Sequence, residues 1–196
     1  MLSNVEINDL LEAISSRDCE KSYKVLFVSL HENLYRFAFG ILKSTEDAEE
    51  VVSDLFINLW VKRKNLKRLD NPKLYLLIGT KNFALNRLKL NKRKVSLQID
   101  DFSTHLESVF FNPEELAISS ELTQRIMESV NGLPPKCKII FKLIKEEGLK
   151  YQEVAELLDL SVKTVESQMA IALRRIRQCL EFKHEFPEIH SILAKK

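Results

Sequence analysis

The chain is poor in the two residues that most often interrupt helices. Of its 196 residues only four are glycine and five are proline. Because helix interiors exclude proline and disfavour glycine, this scarcity favours an all-α fold over a sheet protein. With 45% hydrophobic residues the chain can bury real cores. Its length suits two small domains better than one large domain.

Cysteine and long apolar runs are also scarce. Cys19, Cys137 and Cys179 are odd in number and far apart, and none of the four histidines stands at metal-ligand spacing. We therefore expect reduced cysteines that pack in the interior, and no bound metal. No segment approaches the roughly 20 apolar residues of a membrane span, and the N-terminus carries acids where a signal peptide carries lysines. These absences predict a cytoplasmic protein that does not insert into membranes.

The sequence also lacks the motifs of common enzymes. It contains no glycine-rich phosphate loop, no HExxH pair and no nucleophile motif. Its four scattered histidines do not support a Ser-His-Asp set. We therefore predict that the protein is not an enzyme and needs no cofactor.

Charge of one sign is missing from two stretches of the chain and nearly missing from a third between them. Residues 44–59 contain five acids and no lysine or arginine, and residues 95–121 contain six acids and again no lysine or arginine. Between them, residues 62–94 contain twelve lysines and arginines and one acid, Asp70. Such blocks predict segments with different partners, one of them a polyanion. An enzyme acting on that polyanion would need paired acids in the basic block, which Asp70 alone does not provide.

The apolar pattern divides the chain. Apolar residues recur at helical spacing over about 22–93, and a second helical run begins at Pro113. Residues 95–112 show no sustained period. We predict two small helical domains, at 1–94 and 113–182, joined by a flexible acidic linker at 95–112 and followed by an unassigned tail at 183–196.

Local signals predict where several helices begin or end. Ser44 or Thr45 can accept hydrogen bonds from the backbone amides that follow, so one of them is expected to cap a helix. Asn71-Pro72 marks another start, because proline fits the first helical turn. Gly148 is expected to close the helix before residue 151.

Residues 151–177, YQEVAELLDLSVKTVESQMAIALRRIR, have the pattern of two helices joined by a short turn. Asp159 occupies the turn, and Ser161 is a good N-cap for the second helix. The small Ala155 on the apolar side of the first helix would let another helix approach closely. An ordinary amphipathic hairpin is the alternative, but the short turn and the alanine at the crossing favour a helix-turn-helix.

The second helix of this pair has an apolar side and a polar side. The apolar stripe consists of Val165, Met169, Ala172 and Ile176. The polar side carries two rows, namely Thr164, Gln168 and Arg175, and Lys163, Ser167 and Arg174. Short donors early in the helix suit base reading in the major groove, and the later arginines suit phosphate binding. We predict that these six residues bind DNA.

Two parts of the chain resemble conserved regions of a known family. LPPKCKIIFKL (133–143), followed by EEGLKYQEVAELLDLSVKTVESQMAIALRRIR, resembles the fourth conserved region of bacterial sigma factors. LYRFAFGILKSTEDAEEVVSDLFINLW (34–60) and NPKLYLLIGTKNFALNRLK (71–89) are similar to the second region. Asp159 stands where glycine is common in the family, but aspartate tolerates a left-handed backbone better than most residues. No third sigma domain fits into the linker, so the resemblance is to the extracytoplasmic-function (ECF) subgroup of the sigma-70 family.

The resemblance implies a bacterial factor that binds core RNA polymerase, directs it to promoters and helps to open the DNA. Its partners would be the clamp helices of the β′ subunit, the flap of the β subunit, promoter DNA and an anti-sigma factor. In the family an acidic, aromatic-bearing helix docks on the clamp helices, and the matching residues here are Glu50, Asp54, Phe56 and Trp60. Asp54 is the best candidate of the four, because the two aromatic residues also suit a core.

In the family, the segment after this helix binds the minus-ten promoter element, where a loop captures an unstacked base and a helix reads the upstream edge. The matching candidates are Lys64, Lys67, Arg68, Lys81, Asn82, Asn86, Arg87 and Lys89. The cations would bind phosphate and the two asparagines would bond bases, although a solvated basic face is the alternative. The helix-turn-helix would bind the minus-thirty-five element. The second functional hypothesis is a stand-alone helix-turn-helix regulator that binds DNA without polymerase.

Overall fold

A computed structural model describes residues 2–66, 68–91, 126 and 128–181. Within these residues the chain is helical apart from short connections and contains no strand, so the predicted all-α class is confirmed. The chain forms two compact units, Met1–Phe110 and Phe111–Lys196. The linker and tail predictions, and Lys67, lie outside the described residues.

The described residues of the first unit form four helices and one 3₁₀ turn. The helices are α1 (Asn4–Arg17), α2 (Glu20–Leu42), α3 (Thr45–Val61) and α4 (Pro72–Asn91), with the 3₁₀ turn at Arg63–Asn65. Each of α2, α3 and α4 packs against the other two, and α1 packs on α2 and α4. Their apolar sides meet in a core that includes Ile7, Leu11, Ile14, Leu26, Phe37, Val52, Phe56, Leu76 and Ala84.

Helix α1 was not predicted, because apolar residues at helical spacing were recognised only from about residue 22 onward. A capping box starts it: Ser3 Oγ accepts from the Glu6 backbone N–H at 3.3 Å, and the Glu6 carboxylate accepts from the Ser3 N–H at 2.7 Å. The helix ends at Asp18, whose φ of 51° is left-handed.

The two predicted helix starts of the first unit, those of α3 and α4, are confirmed. Of the two candidates at the start of α3, Ser44 is the cap, since its Oγ accepts from the Asp47 N–H at 3.2 Å. Asn71 caps α4 by accepting from the Leu74 N–H at 3.0 Å. In both cases a short polar side chain satisfies a backbone donor that the first turn leaves without a helical partner.

The second unit contains α5 (Pro135–Lys145), α6 (Tyr151–Leu158) and α7 (Val162–Glu181). Gly148 follows α5 with φ 72°, as its predicted role requires. Asp159 is left-handed with φ 53°, and Ser161 caps α7 by accepting from the Thr164 N–H at 3.0 Å. The predicted helix-turn-helix is therefore confirmed as α6, a short turn and α7.

Candidate DNA and polymerase interfaces

Helix α7 divides into a buried side and an exposed side. Val165, Met169, Ala172 and Ile176 are all buried, so the predicted apolar stripe is confirmed. The exposed side carries Lys163, Glu166, Ser167, Ala170, Arg174, Arg175 and Arg177. Glu166 and Arg177 were missed by the sequence analysis, although helical spacing from Lys163 and Arg174 would have found them.

The two predicted polar rows of α7 differ in their surroundings. Lys163, Ser167 and Arg174 are exposed, as is Arg175, whereas Thr164 and Gln168 are half-buried. The buried Cys137 thiol of α5 donates to Gln168 Oε1 at 3.0 Å. Burial raises the pKa of Cys137, which keeps the thiol protonated and able to donate. This hydrogen bond leaves the NH₂ group of Gln168 and one lone pair of its oxygen to bond a base.

Helix α3 presents acids and exposed apolar side chains. Asp54 is exposed, and no ion pair of Asp54 is found within the residues that the structure describes. Next to it along the helix, Ile57 is 57% exposed and Val61 is 69% exposed. Neither apolar residue was predicted as a contact, although helical spacing places both on the side opposite Val52 and Leu59. A protein partner could bury both beside the Asp54 carboxylate.

Phe56 does not belong to this exposed surface, so the prediction that it contacts polymerase is wrong. It is 1% exposed, and its ring packs against Tyr23 and Phe27 with centroid separations of 6.1 and 4.8 Å. Trp60 is half-buried: its ring lies 5.0 Å from that of Tyr23, and the Arg63 guanidinium lies 4.4 Å from its centroid. Trp60 therefore retains a surface for contact, whereas Phe56 is part of the core.

Arg87 and Glu50 bind each other. Arg87 donates to Asp47 at 2.8 Å and forms a two-pronged pair with Glu50. Asp47 first, and then Glu50, raise the pKa of Arg87. We therefore assign Arg87 to the joint between α3 and α4 rather than to a phosphate contact. Glu50, which was predicted to bind polymerase, pairs with Arg87 at this joint.

The remaining minus-ten candidates separate by exposure. Lys81 is only 7% exposed and lies on the inner side of α4, so the prediction that it binds phosphate is wrong. Asn82, Asn86 and Lys89 are exposed at spacings of four and three residues, which places them in one outward row. This row can present two amides and a cation to nucleic acid.

Cations before α4 already face acids of α1. Lys64 lies 2.7 Å from Asp18, and Arg68 lies 3.8 Å from Glu12. Both basic side chains remain more than half exposed. Each of these cations can bind a DNA phosphate either by leaving its carboxylate partner or while still paired with it.

Comparison with protein families identifies both units. Residues 26–94 match Sigma-70 region 2, and residues 123–176 match Sigma-70, region 4. The chain belongs to the sigma-70 family. Because regions 2 and 4 occur in order on one chain, this sigma factor is an initiation factor that binds RNA polymerase and recognises promoters. The hypothesis of a stand-alone regulator is thereby rejected.

Relatives place the sigma factor in the ECF subgroup. The ECF RNA polymerase sigma factor SigK of Mycobacterium tuberculosis is 21% identical over 180 residues, covering 90% of this chain and 94% of its own. The ECF RNA polymerase sigma-E factor of Haemophilus influenzae is 28% identical over 182 residues, covering 89% and 93%. The structure of CnrH in complex with the cytosolic domain of CnrY has a TM-score of 0.50 at 18% identity, covering 91% of this chain and 99% of CnrH. That likeness supports the helical fold.

The described helices of the sigma factor lack two features of other protein classes. None of them combines the length and apolar character that crossing a bilayer requires. Among the same residues, no group of three or more histidine, cysteine, aspartate or glutamate side chains is placed to hold a metal ion.

Proposed function

We propose that this ECF sigma factor docks on core RNA polymerase through the exposed side of α3. Regions 2 and 4 on one chain carry the proposal, since region 2 in the family contains the polymerase-binding helix. The contact surface would consist of Asp54, Ile57 and Val61, with Trp60 at its edge. An apolar pair beside a charge gives both buried area and orientation.

The DNA contacts would divide between the two units. Asn82, Asn86 and Lys89 of α4, with Lys64 and Arg68 before it, would bind the minus-ten element as the strands separate. The exposed side of α7, with Gln168 at its edge, would enter the major groove of the minus-thirty-five element. The protein would act in the cytoplasm without covalent chemistry. An anti-sigma factor would hold it inactive, and the complex of CnrH with CnrY supports such a partner.

Replacing Asp54 by lysine tests the polymerase surface. Asp54→Lys should weaken binding to core polymerase by about tenfold, because it reverses charge at the centre of the proposed contact. Asp9→Lys is the matched control, since it makes the same charge change on the exposed side of α1. Titration of labelled sigma factor with core polymerase measures both. Equal affinity for the two variants would remove Asp54 from the interface.

A further inference from the structure

Helix α1 meets the segment before α4 through a row of polar side chains. Asn8, Glu12, Ser15 and Asp18 recur every three or four residues, so they share one side of the helix. They contact the 3₁₀ turn and the residues that follow it, at Leu69, Arg68, Leu66 and Lys64 respectively. The sigma-factor contacts proposed above make no use of this row.

Asn8 makes the closest backbone contacts in the row. Its Nδ2 donates to the Leu69 carbonyl at 2.8 Å, and its Oδ1 accepts from the Leu69 N–H at 3.1 Å. The side chain is polar yet only 7% exposed. The carboxamide of asparagine places one N–H donor and its carbonyl acceptor on the same edge, so Asn8 bonds both the C=O and the N–H of Leu69, as the residue opposite does in an antiparallel ladder.

Leu69 depends on this pairing. Among the described backbone hydrogen bonds outside helices, none uses its N–H or C=O. The segment is also held at its two ends: Ser15 donates to the Leu66 carbonyl at 3.4 Å, and Asn71 caps α4. Between these points Arg68 points outward with its side chain 65% exposed.

We infer that Asn8 is a positioning residue that fixes the backbone around Leu69 in the shape that receives separated promoter DNA. The inference rests on the proposed function, which places the minus-ten element at this segment. A loop without its own ladder of hydrogen bonds would lose conformational freedom on binding DNA. A loop fixed beforehand by α1 avoids that loss, so it binds the strand more tightly.

The test compares Asn8→Leu with Asp9→Leu in the full sigma factor bound to core polymerase. Leucine branches at Cγ as asparagine does and is the better helix former, so it removes both hydrogen bonds to Leu69 without lowering the helix propensity of α1. Asp9 is exposed on the same helix, which makes its substitution the control. The DNA is the non-template strand of a promoter that the wild-type holoenzyme selects from a randomised duplex library.

Asn8→Leu should weaken binding of this single strand by about tenfold, while core affinity and binding to the isolated upstream duplex element change less than about twofold. Leu11→Ala, which removes core packing from α1, should instead lower core binding and strand binding in parallel. Wild-type strand affinity in folded Asn8→Leu, or a parallel loss like that of Leu11→Ala, would overturn the inference. Failure of the wild-type holoenzyme to bind the strand would overturn the proposed function, and the inference with it.

Discussion

Arg87 joins the C-terminal part of α4 to the first turns of α3 through Asp47 and Glu50. We expect Arg87→Ala to lower the midpoint of thermal unfolding by a few degrees, because it removes the guanidinium that bonds both carboxylates. Arg87→Lys should recover only part of the loss, since lysine cannot form the two-pronged pair. Circular dichroism during heating measures the midpoint.

Lys89 provides the matched control for Arg87, because it lies two residues further along α4 and is exposed. Lys89→Ala should leave the unfolding midpoint unchanged and lower the salt slope of promoter binding by about one unit. A lower salt slope with an unchanged midpoint for Arg87→Ala would return Arg87 to the DNA contacts.

Asp18 is a second residue whose role can be separated by charge alone. Its left-handed φ of 51° is one that asparagine also tolerates, so Asp18→Asn removes the charge and keeps the end of α1. Hydrogen bonds from Lys64 and then Arg63 hold the pKa of Asp18 below its ordinary 3.8. Its contribution to stability is therefore present above that value and is lost as pH falls through the lower pKa of the folded state.

As the pH falls below the ordinary pKa of Asp18, we expect the wild-type protein to lose more stability than Asp18→Asn. Freed from Asp18, Lys64 and Arg63 should also give the variant a steeper salt dependence of DNA binding. Thermal unfolding across acidic pH and a salt titration measure the two effects, with Asp9→Asn as control. Identical pH profiles for Asp18→Asn and wild type would show that the ion pairs contribute nothing.

Three residue assignments changed, each for its own reason. Arg87 belonged to a basic block in sequence, but its acids lie 40 and 37 residues away, which a local charge count cannot detect. Phe56 was assigned from its likeness to a family motif, whereas its helical spacing with Val52 and Leu59 already placed it on a buried side. Lys81 likewise shares a face of α4 with Leu77 and Ala84.

At the scale of elements, local chemistry predicted helix boundaries well. Ser44, one of two candidates, and Ser161 cap the helices expected of them, and a helix starts at Asn71-Pro72 as predicted, because such signals involve only the residues of one turn. Helix α1 could also have been predicted from Ser3, Glu6 and the spacing of Ile7, Leu11 and Ile14. Its contacts with the segment before α4 could not, since they depend on how the helices pack.

Helix α7 should separate base reading from phosphate binding. Gln168→Ala should change base preference at one upstream position by about 1–3 kcal/mol, because it removes the amide that Cys137 orients. Arg175→Ala should weaken binding to all sequences alike and reduce the salt slope, as expected of an exposed cation that contacts phosphate. A binding series with single-base promoter variants measures both. The same pattern of losses for the two variants would contradict this division of roles.

At the scale of the whole molecule, the order of the charged blocks was more informative than the net charge of +2. The blocks predicted different partners, one of them a polyanion; the resemblance of segments in both domains led to the sigma family, and both family regions are confirmed. The predicted domain boundaries stay predictions. The individual contacts also stay predictions, because each contact involves polymerase or DNA. The acidic residues 95–121 lie outside the described part of the chain.

Promoter-specific transcription by reconstituted holoenzyme tests the central claim most directly. Core polymerase and the full chain are combined with duplex DNA selected by the holoenzyme, and transcript starts are mapped. We expect starts at a fixed distance downstream of the selected sequence, only when the chain is present, and their loss with Asp54→Lys but not Asp9→Lys. Binding of the chain alone to the same DNA, with no change in transcript starts on adding it to core polymerase, would contradict the account.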